Sequence, residues 1–381
     1  MNKKIFPPQP SLQFINRVTG AVIGDFDVQL VDGLWQYFDV EAWMRSNKLH
    51  PSEIHKAQPL FSDIHHIKPG VKWSNATNSI ELDLYHPKER KYSVDTLLEV
   101  SEKFFKSLNA NRIGVHLSGG FDSSLIMCIL HKLDIPFVPI GLKGDTFEFR
   151  TERLIQEDIA SWGQDALLIG LDEVAFYSQI DKLPPHRIPC GIFKGYTGSC
   201  ALADAFAERG CDVVLTGQGG DTLFVDKVKD IRDLSFNIGN EFENHEEQDL
   251  IYSARGIKLV SYFSQPEIIN LISTARIGQP FDALKMWARH EFRDILPHRL
   301  VSHSYFADFF SLTRDGLMEA RPIIARLLEE AYERLRHPIF SSKATKGLLN
   351  RNIYGFEYTD YIEFCSILAV AVWIHSLFNN E

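Results

Sequence analysis

Between residues 91 and 225, short apolar runs alternate with longer stretches of helical character. The runs at 112–117, 135–142, 166–171 and 211–216 are rich in Ile, Val and Leu and are bounded by Gly, Asp or Ser, as expected of strands buried on both faces. Helical stretches at 123–133, 151–162 and 198–209 separate them, and residues 93–108 form a further one with Ser93 placed to cap it. This alternation predicts an α/β fold, a parallel sheet with helices on both faces. Beyond residue 225 the pattern turns mostly helical. Residues 237–249, with several carboxylates and no aliphatic periodicity, read as an exposed loop, and the apolar run 366–374 as a buried helix. Residues 1–90 differ. Strand-like pieces at 12–15, 21–23, 26–30 and 35–38 are punctuated by Gly and Asp, which predicts a small β-rich region. The break at 86–95 divides the chain into expected domains 1–90 and 91–381.

The run at 113–117 leads into Leu117-Ser118-Gly119-Gly120-Phe121-Asp122-Ser123-Ser124 and then into a helix. A strand, a glycine-rich turn and a helix N-terminus together make an anion cradle, because the first N–H groups of the helix have no intrahelical partner and carry the positive end of its dipole. Gly119 and Gly120 admit a phosphate close to the main chain, Ser118, Ser123 and Ser124 add hydroxyl donors, and Asp122 offers a carboxylate to magnesium. The string lacks the Gly-Lys-Ser/Thr ending of a Walker loop and the Gly-x-Gly-x-x-Gly of a dinucleotide fold. It resembles the PP-loop of ATP pyrophosphatases, which implies cleavage of ATP between the α and β phosphates.

A second apolar run ends in Thr216-Gly217-Gln218-Gly219-Gly220-Asp221. Two carboxylates on adjacent turns, Asp122 and Asp221, suffice for magnesium, which takes few protein ligands besides phosphate oxygens. Composition fits such an enzyme. The formal net charge of −10 disfavours a nonspecific nucleic-acid binder. The cysteines at 128, 190, 200, 211 and 365 lie far apart, which suits buried thiols in a reducing compartment. The opening Met-Asn-Lys-Lys-Ile-Phe-Pro-Pro lacks the apolar core of a signal peptide, and no stretch reaches the roughly 18 apolar residues of a membrane span, so a cytoplasmic location without membrane partner is expected.

From about residue 90 onward the chain resembles the synthetase domain of asparagine synthetases and their relatives, the β-lactam synthetases and lasso-peptide cyclases. Besides the PP-loop, residues 253–263 look like a variant of the family's Ser-Ala-x-Gly-Val-Glu-Ala-Arg-x-Pro-Phe segment, and Lys285, Arg289, Phe292 and Leu296-Pro297 keep the spacing of its Lys…Arg…Phe…Leu-Pro helix. The resemblance implies ATP as substrate with Mg2+, places Ile140 and Gly141 beside the adenine, and has Thr216 and Gly217 flank the nucleotide with Leu117 and the loop serines.

The departures shape the expected chemistry. Asn2 stands where glutamine-dependent members have a catalytic cysteine, and residues 1–90 are short for a glutaminase domain, although 61–70 resemble the piece that closes one. A reduced remnant without glutamine hydrolysis is expected. Gln218 replaces the glutamate that assists amine attack, and Tyr305 falls where the family's lysine stabilises departing pyrophosphate, about eight residues past Leu-Pro. His298, Arg299 and His303 are nearby candidates to supply the charge. Two readings stay open. One is an AMP-forming ligase, expected as a homodimer, that adenylates a small-molecule or peptide carboxylate and passes it to an amine in peptide or natural-product tailoring. The other is a nucleotide-binding scaffold without catalysis.

Overall fold

A computed structural model describes residues 13–16, 22–23, 38–46, 64–67, 71–74, 76–77, 79–82, 92–145, 149–186, 188–224, 248–276, 285–302, 310–349 and 358–378, and every structural statement concerns these. The chain forms two compact units, each assembled from separated stretches. Residues 11–83, 175–197 and 309–381 make a mainly helical unit, and residues 1–10, 84–174 and 198–308 a sheet unit.

In the helical unit, β1 (Gln13–Asn16) pairs antiparallel with β2 (Val22–Ile23) and β3 (Ile64–Ile67), and β4 (Val71–Ser74) pairs with β5 (Ser79–Leu82). The expected strand at 26–30 lies outside the described residues. A helix over Val40–Ser46, which the strand-like reading of the region did not anticipate, buries Ala42, Trp43 and Met44. The apolar run 366–374 is the buried heart of the helix Tyr358–Phe378, as predicted. That helix is apolar around its circumference, so it is enclosed rather than laid on a surface. Trp373 is fully buried, and its Nε1 donates to His186 O (2.9 Å).

His186 is itself enclosed. Its Nδ1 contacts Pro184 O (3.0 Å) and Ser376 Oγ (3.3 Å), while Nε2 is buried without a partner among the described residues. Burial pushes the imidazole down to about 4, because protonation would place a charge and an orphan N–H in the core. The unfolded chain therefore binds this proton more readily between pH 6.5 and 4, and stability falls as pH drops through that window. The expected loss is about 3 kcal/mol across it. Urea unfolding of the His186→Gln chain, followed by Trp fluorescence, should show that slope flattened.

The sheet unit holds five parallel strands among the described residues. They are β6 (Ile113–His116), β7 (Val138–Lys143), β8 (Leu167–Gly170), β9 (Val213–Thr216) and β10 (Lys258–Ser261), in the order β10-β9-β6-β7-β8. Four of these match the predicted runs to within a few residues. The fifth, β10, lies in the part read as mostly helical. The helices Phe121–Lys132, Arg150–Ala160 and Tyr196–Glu208 connect the strands where helical spacing placed them. Ser93 caps Val94–Ser107 as expected, its Oγ accepting from Thr96 N at 3.1 Å. Residues 237–247 of the expected exposed loop 237–249 lie outside the described residues, and a helix begins at 248. No helix among the described residues is long and apolar enough to cross a membrane.

Strand order reverses between β6 and β9. Right-handed crossovers running outward in both directions place the connecting helices on opposite faces and open a crevice at the carboxyl ends of β6 and β9.

Candidate functional site at the strand-order reversal

Both glycine-rich turns emerge at this crevice. The first follows β6. Leu117 N donates to Ile140 O (2.8 Å), which keeps the chain paired with β7 up to the turn. Gly119 then adopts φ +79°, and a Cβ there would lie 2.5 Å from Glu152 O, so the turn requires glycine. Gly120 N donates to Ser118 Oγ (3.1 Å), and the Ser118 and Ser123 hydroxyls are hydrogen-bonded at 2.8 Å. Gly120 N-caps the helix Phe121–Lys132 without a side-chain cap, and Asp122 lies in its first turn. Ser124 Oγ is buried without a partner among the described residues. Gln156, buried on the helix Arg150–Ala160, donates Nε2 to Leu117 O (3.0 Å) and Leu142 O (2.8 Å) and so fastens the loop's entry to β7.

The second turn follows β9. Thr216 Oγ1 accepts from Gln218 N (3.3 Å), and Gln218 O accepts from Ser261 Oγ at the end of β10 (2.8 Å). Gly217 lies against the backbone of Asp122 and Ser123, and Gly220 against the Asp122 carboxylate. The two turns are thus in contact, although about a hundred residues separate them. Gly141 of β7 abuts Leu117 O, which sets Ile140 and Gly141 beside the first turn.

Lys285 joins the two turns. Its Nζ lies 2.5 Å from Asp122 Oδ2 and 2.6 Å from Asp221 Oδ1, with the lysine side chain 4% exposed and Asp221 73% exposed. The spacing of Lys285, Arg289 and Leu296-Pro297 marked a family likeness, but nothing in the local sequence gave the lysine a role. Burial pushes the Asp122 carboxyl up to about 6; Lys285 pulls it back and Asp221 pushes it further up. Burial alone would lower the Lys285 ammonium, yet the two carboxylates outweigh it and hold it above the ordinary lysine range. Asp122 Oδ1 remains buried without a hydrogen-bond partner among the described residues. That free lone-pair oxygen, beside the accessible Asp221, fits a hard cation shared with phosphate. No group of three or more His, Cys, Asp or Glu suited to a metal occurs among the described residues.

Comparison with known proteins bears on this geometry. Residues 108–228 match the family model for asparagine synthase. This segment is asparagine synthase-like. The chain is also 28% identical over 199 residues to an amidase, chyE, of Penicillium rubens; the match covers 44% of this chain and 30% of that relative, so the chain spans well under half of the relative's length.

The asparagine synthase-like segment contains both turns. Leu117, Ser118, Gly119, Gly120, Asp122, Ser123, Ser124, Ile140, Gly141, Thr216, Gly217, Gln218 and Asp221 all gather at this end of the sheet. Tyr305 and His303 lie outside the described residues. Arg299 Nε instead donates to Asp158 Oδ2 (3.0 Å), and His298 is exposed at the start of His298–Ser302. The stretch from Lys285 to Pro297, expected as one helix, holds the short helix Met286–Glu291, and a second, His298–Ser302, follows Pro297.

Gly220 offers a steric handle on the carboxylate. A Cβ there would come 2.2 Å from Asp122 Cγ, 2.5 Å from its Oδ1 and 2.7 Å from its Cβ, the last of which no side-chain rotation moves. Gly220→Ala should therefore displace the carboxylate and push the two turns apart, at a cost of about 1–3 kcal/mol in stability. About tenfold weaker magnesium–ATP binding is expected by calorimetry, a fraction of the effect of removing a preorganised contact outright.

Proposed function

We propose that the sheet unit binds and activates ATP in an AMP-forming amide-bond ligase. In this reading a small-molecule or peptide carboxylate is adenylated and passed to an amine, without glutamine hydrolysis. The observation that carries it is the convergence of two glycine-rich turns at the strand-order reversal, with Asp122 and Asp221 close enough to share one cation. The asparagine synthase match over the same residues supports it, and a relative named an amidase supports amide chemistry.

The loop N–H groups and the Ser118, Ser123 and Ser124 hydroxyls would hold phosphate oxygens against the N-terminus of Phe121–Lys132. Ile140 and Gly141, with Thr216 and Gly217, would border the base. Asp122 and Asp221 would hold magnesium, which when bound neutralises phosphate charge and favours pyrophosphate as a leaving group. Gln218 has no basic lone pair to match a carboxylate, so it would orient the acyl group by hydrogen bonding rather than deprotonate the amine. With an amide in place of a carboxylate at position 218, an amine that arrives already neutral, or one tethered to the carboxylate, suits the site best.

The deciding experiment is calorimetric titration of magnesium–ATP into the purified chain, then ATP–pyrophosphate exchange with a panel of amino-acid and peptide carboxylates. Saturable binding and carboxylate-dependent exchange are the expected results. Absence of ATP binding, with and without the carboxylates, would overturn the ligase. Binding without exchange would favour the scaffold reading, for which the replacement of the turn's glutamate by Gln218 is the motivating feature.

A further inference from the structure

The site contains a cation of its own. Lys285 Nζ contacts one oxygen of Asp122 and one of Asp221 at 2.5 and 2.6 Å, so it lies between the carboxylates expected to receive magnesium. Magnesium needs carboxylate oxygens at about 2.0–2.1 Å, and a dication on the same oxygens would occupy the ammonium's space and repel its charge. The ammonium has no easy retreat into water, since the side chain is buried and its Nζ lies 5.7 Å from the centre of the Phe121 ring.

The backbone reinforces this placement. Lys285 has φ +54°, a left-handed conformation that a lysine adopts only where its surroundings fix it. Its carbonyl accepts from Arg289 N at 2.8 Å and opens the helix Met286–Glu291. The stem is therefore anchored while the four-carbon side chain keeps rotatable bonds near the crevice.

We propose that Lys285 is an internal competitor of the divalent cation: it neutralises Asp122 and Asp221 in the ligand-free chain, and yields carboxylate oxygens to the metal by passing to phosphate when metal and triphosphate enter together. The proposal rests on the nucleotide reading of the site. It implies ordered occupancy. The bare metal meets an ammonium already in place, whereas triphosphate gives that ammonium somewhere to go, so metal and nucleotide bind with positive coupling.

The test uses Mn2+ and magnesium-free ATP as separate probes on the wild-type chain and on Lys285→Met. Without nucleotide, Mn2+ binding followed by electron paramagnetic resonance should tighten at least tenfold in the variant. ATP binding in EDTA should weaken at least tenfold, because phosphate loses its counter-charge. Opposite changes are the signature, since a purely structural loss weakens both. Lys285→Arg should keep wild-type Mn2+ affinity, and Lys285→Gln, whose amide can still donate to the carboxylates, should repeat the methionine result if Lys285→Met fails to fold. Unchanged or weaker Mn2+ binding in the folded neutral variants would overturn the proposal. If the wild-type chain binds no magnesium–ATP, the nucleotide reading fails and the transfer of Lys285 to phosphate fails with it. If it does bind, an unchanged Mn2+ affinity removes the competition alone.

Discussion

Gly141→Ala is expected to destabilise the sheet unit by roughly 3 kcal/mol, the upper range for overpacking a close-packed interior. The added methyl would overlap Leu117 O and come within 2.8 Å of Leu117 C. These are backbone atoms and cannot rotate away. Relief requires β7 to part from the end of β6, which strains the Leu117–Ile140 hydrogen bond and both bonds donated by Gln156. Each of those bonds contributes about 1 kcal/mol, and more if a buried carbonyl is left unpaired. Urea denaturation reads the loss as a lower midpoint at unchanged slope. The surviving folded protein should also bind magnesium–ATP more weakly, because the same carbonyl fixes the entry of the loop. An unchanged midpoint would show that the strands separate freely there.

Asp122→Asn should weaken magnesium–ATP binding about a hundredfold, the scale of losing one preorganised electrostatic contact. Its effect on ATP without magnesium should be absent or opposite, because the substitution removes a negative charge facing the phosphates. Calorimetry with and without EDTA separates the two, and equal losses in both would mean that Asp122 acts by shape alone. The same variant has a pH signature. The Asp122 carboxyl rises from 3.8 to about 6 in the folded chain, chiefly through burial. The native state then binds this proton more readily than the unfolded state, so the group's contribution falls as pH rises through 4 to 6. The asparagine variant lacks that decline. His186, in the helical unit, acts in the opposite sense over much of the same range.

Much of the sheet was legible because its cause is local. The runs now seen as β6, β7, β8 and β9 are mostly apolar between turn formers, and Ser93 stands at the position where a helix needs an acceptor. β10 was harder to read. It opens on the exposed Lys258, covers only Lys258–Ser261, and takes its strand identity from parallel pairing with β9. The chemistry divides in the same way. Both turns announce themselves through Gly, Ser and Asp in sequence, whereas Lys285 carries no local sign of its role. Its importance arises from folding, which brings residues 163 positions apart into one ion pair. The helix Val40–Ser46 also escaped notice, since its seven residues are too few for helical periodicity to stand out.

The sequence distance between the carboxylates and their counter-ion matters during synthesis. β6, the middle strand, leaves the ribosome first of the five, and the sheet must then be extended on both flanks. At about 5–20 residues per second, the 163-residue interval takes roughly 8–30 s to translate. Throughout that time Asp122 has no ammonium, and once β9 has docked it faces Asp221 as well. The nascent chain thus passes through a stage in which two acidic turns meet uncompensated, when solution cations or a proton on Asp122 offer the available relief. Completion of this crevice is therefore a late event in the life of the chain, although its most conspicuous loop is among the first parts made.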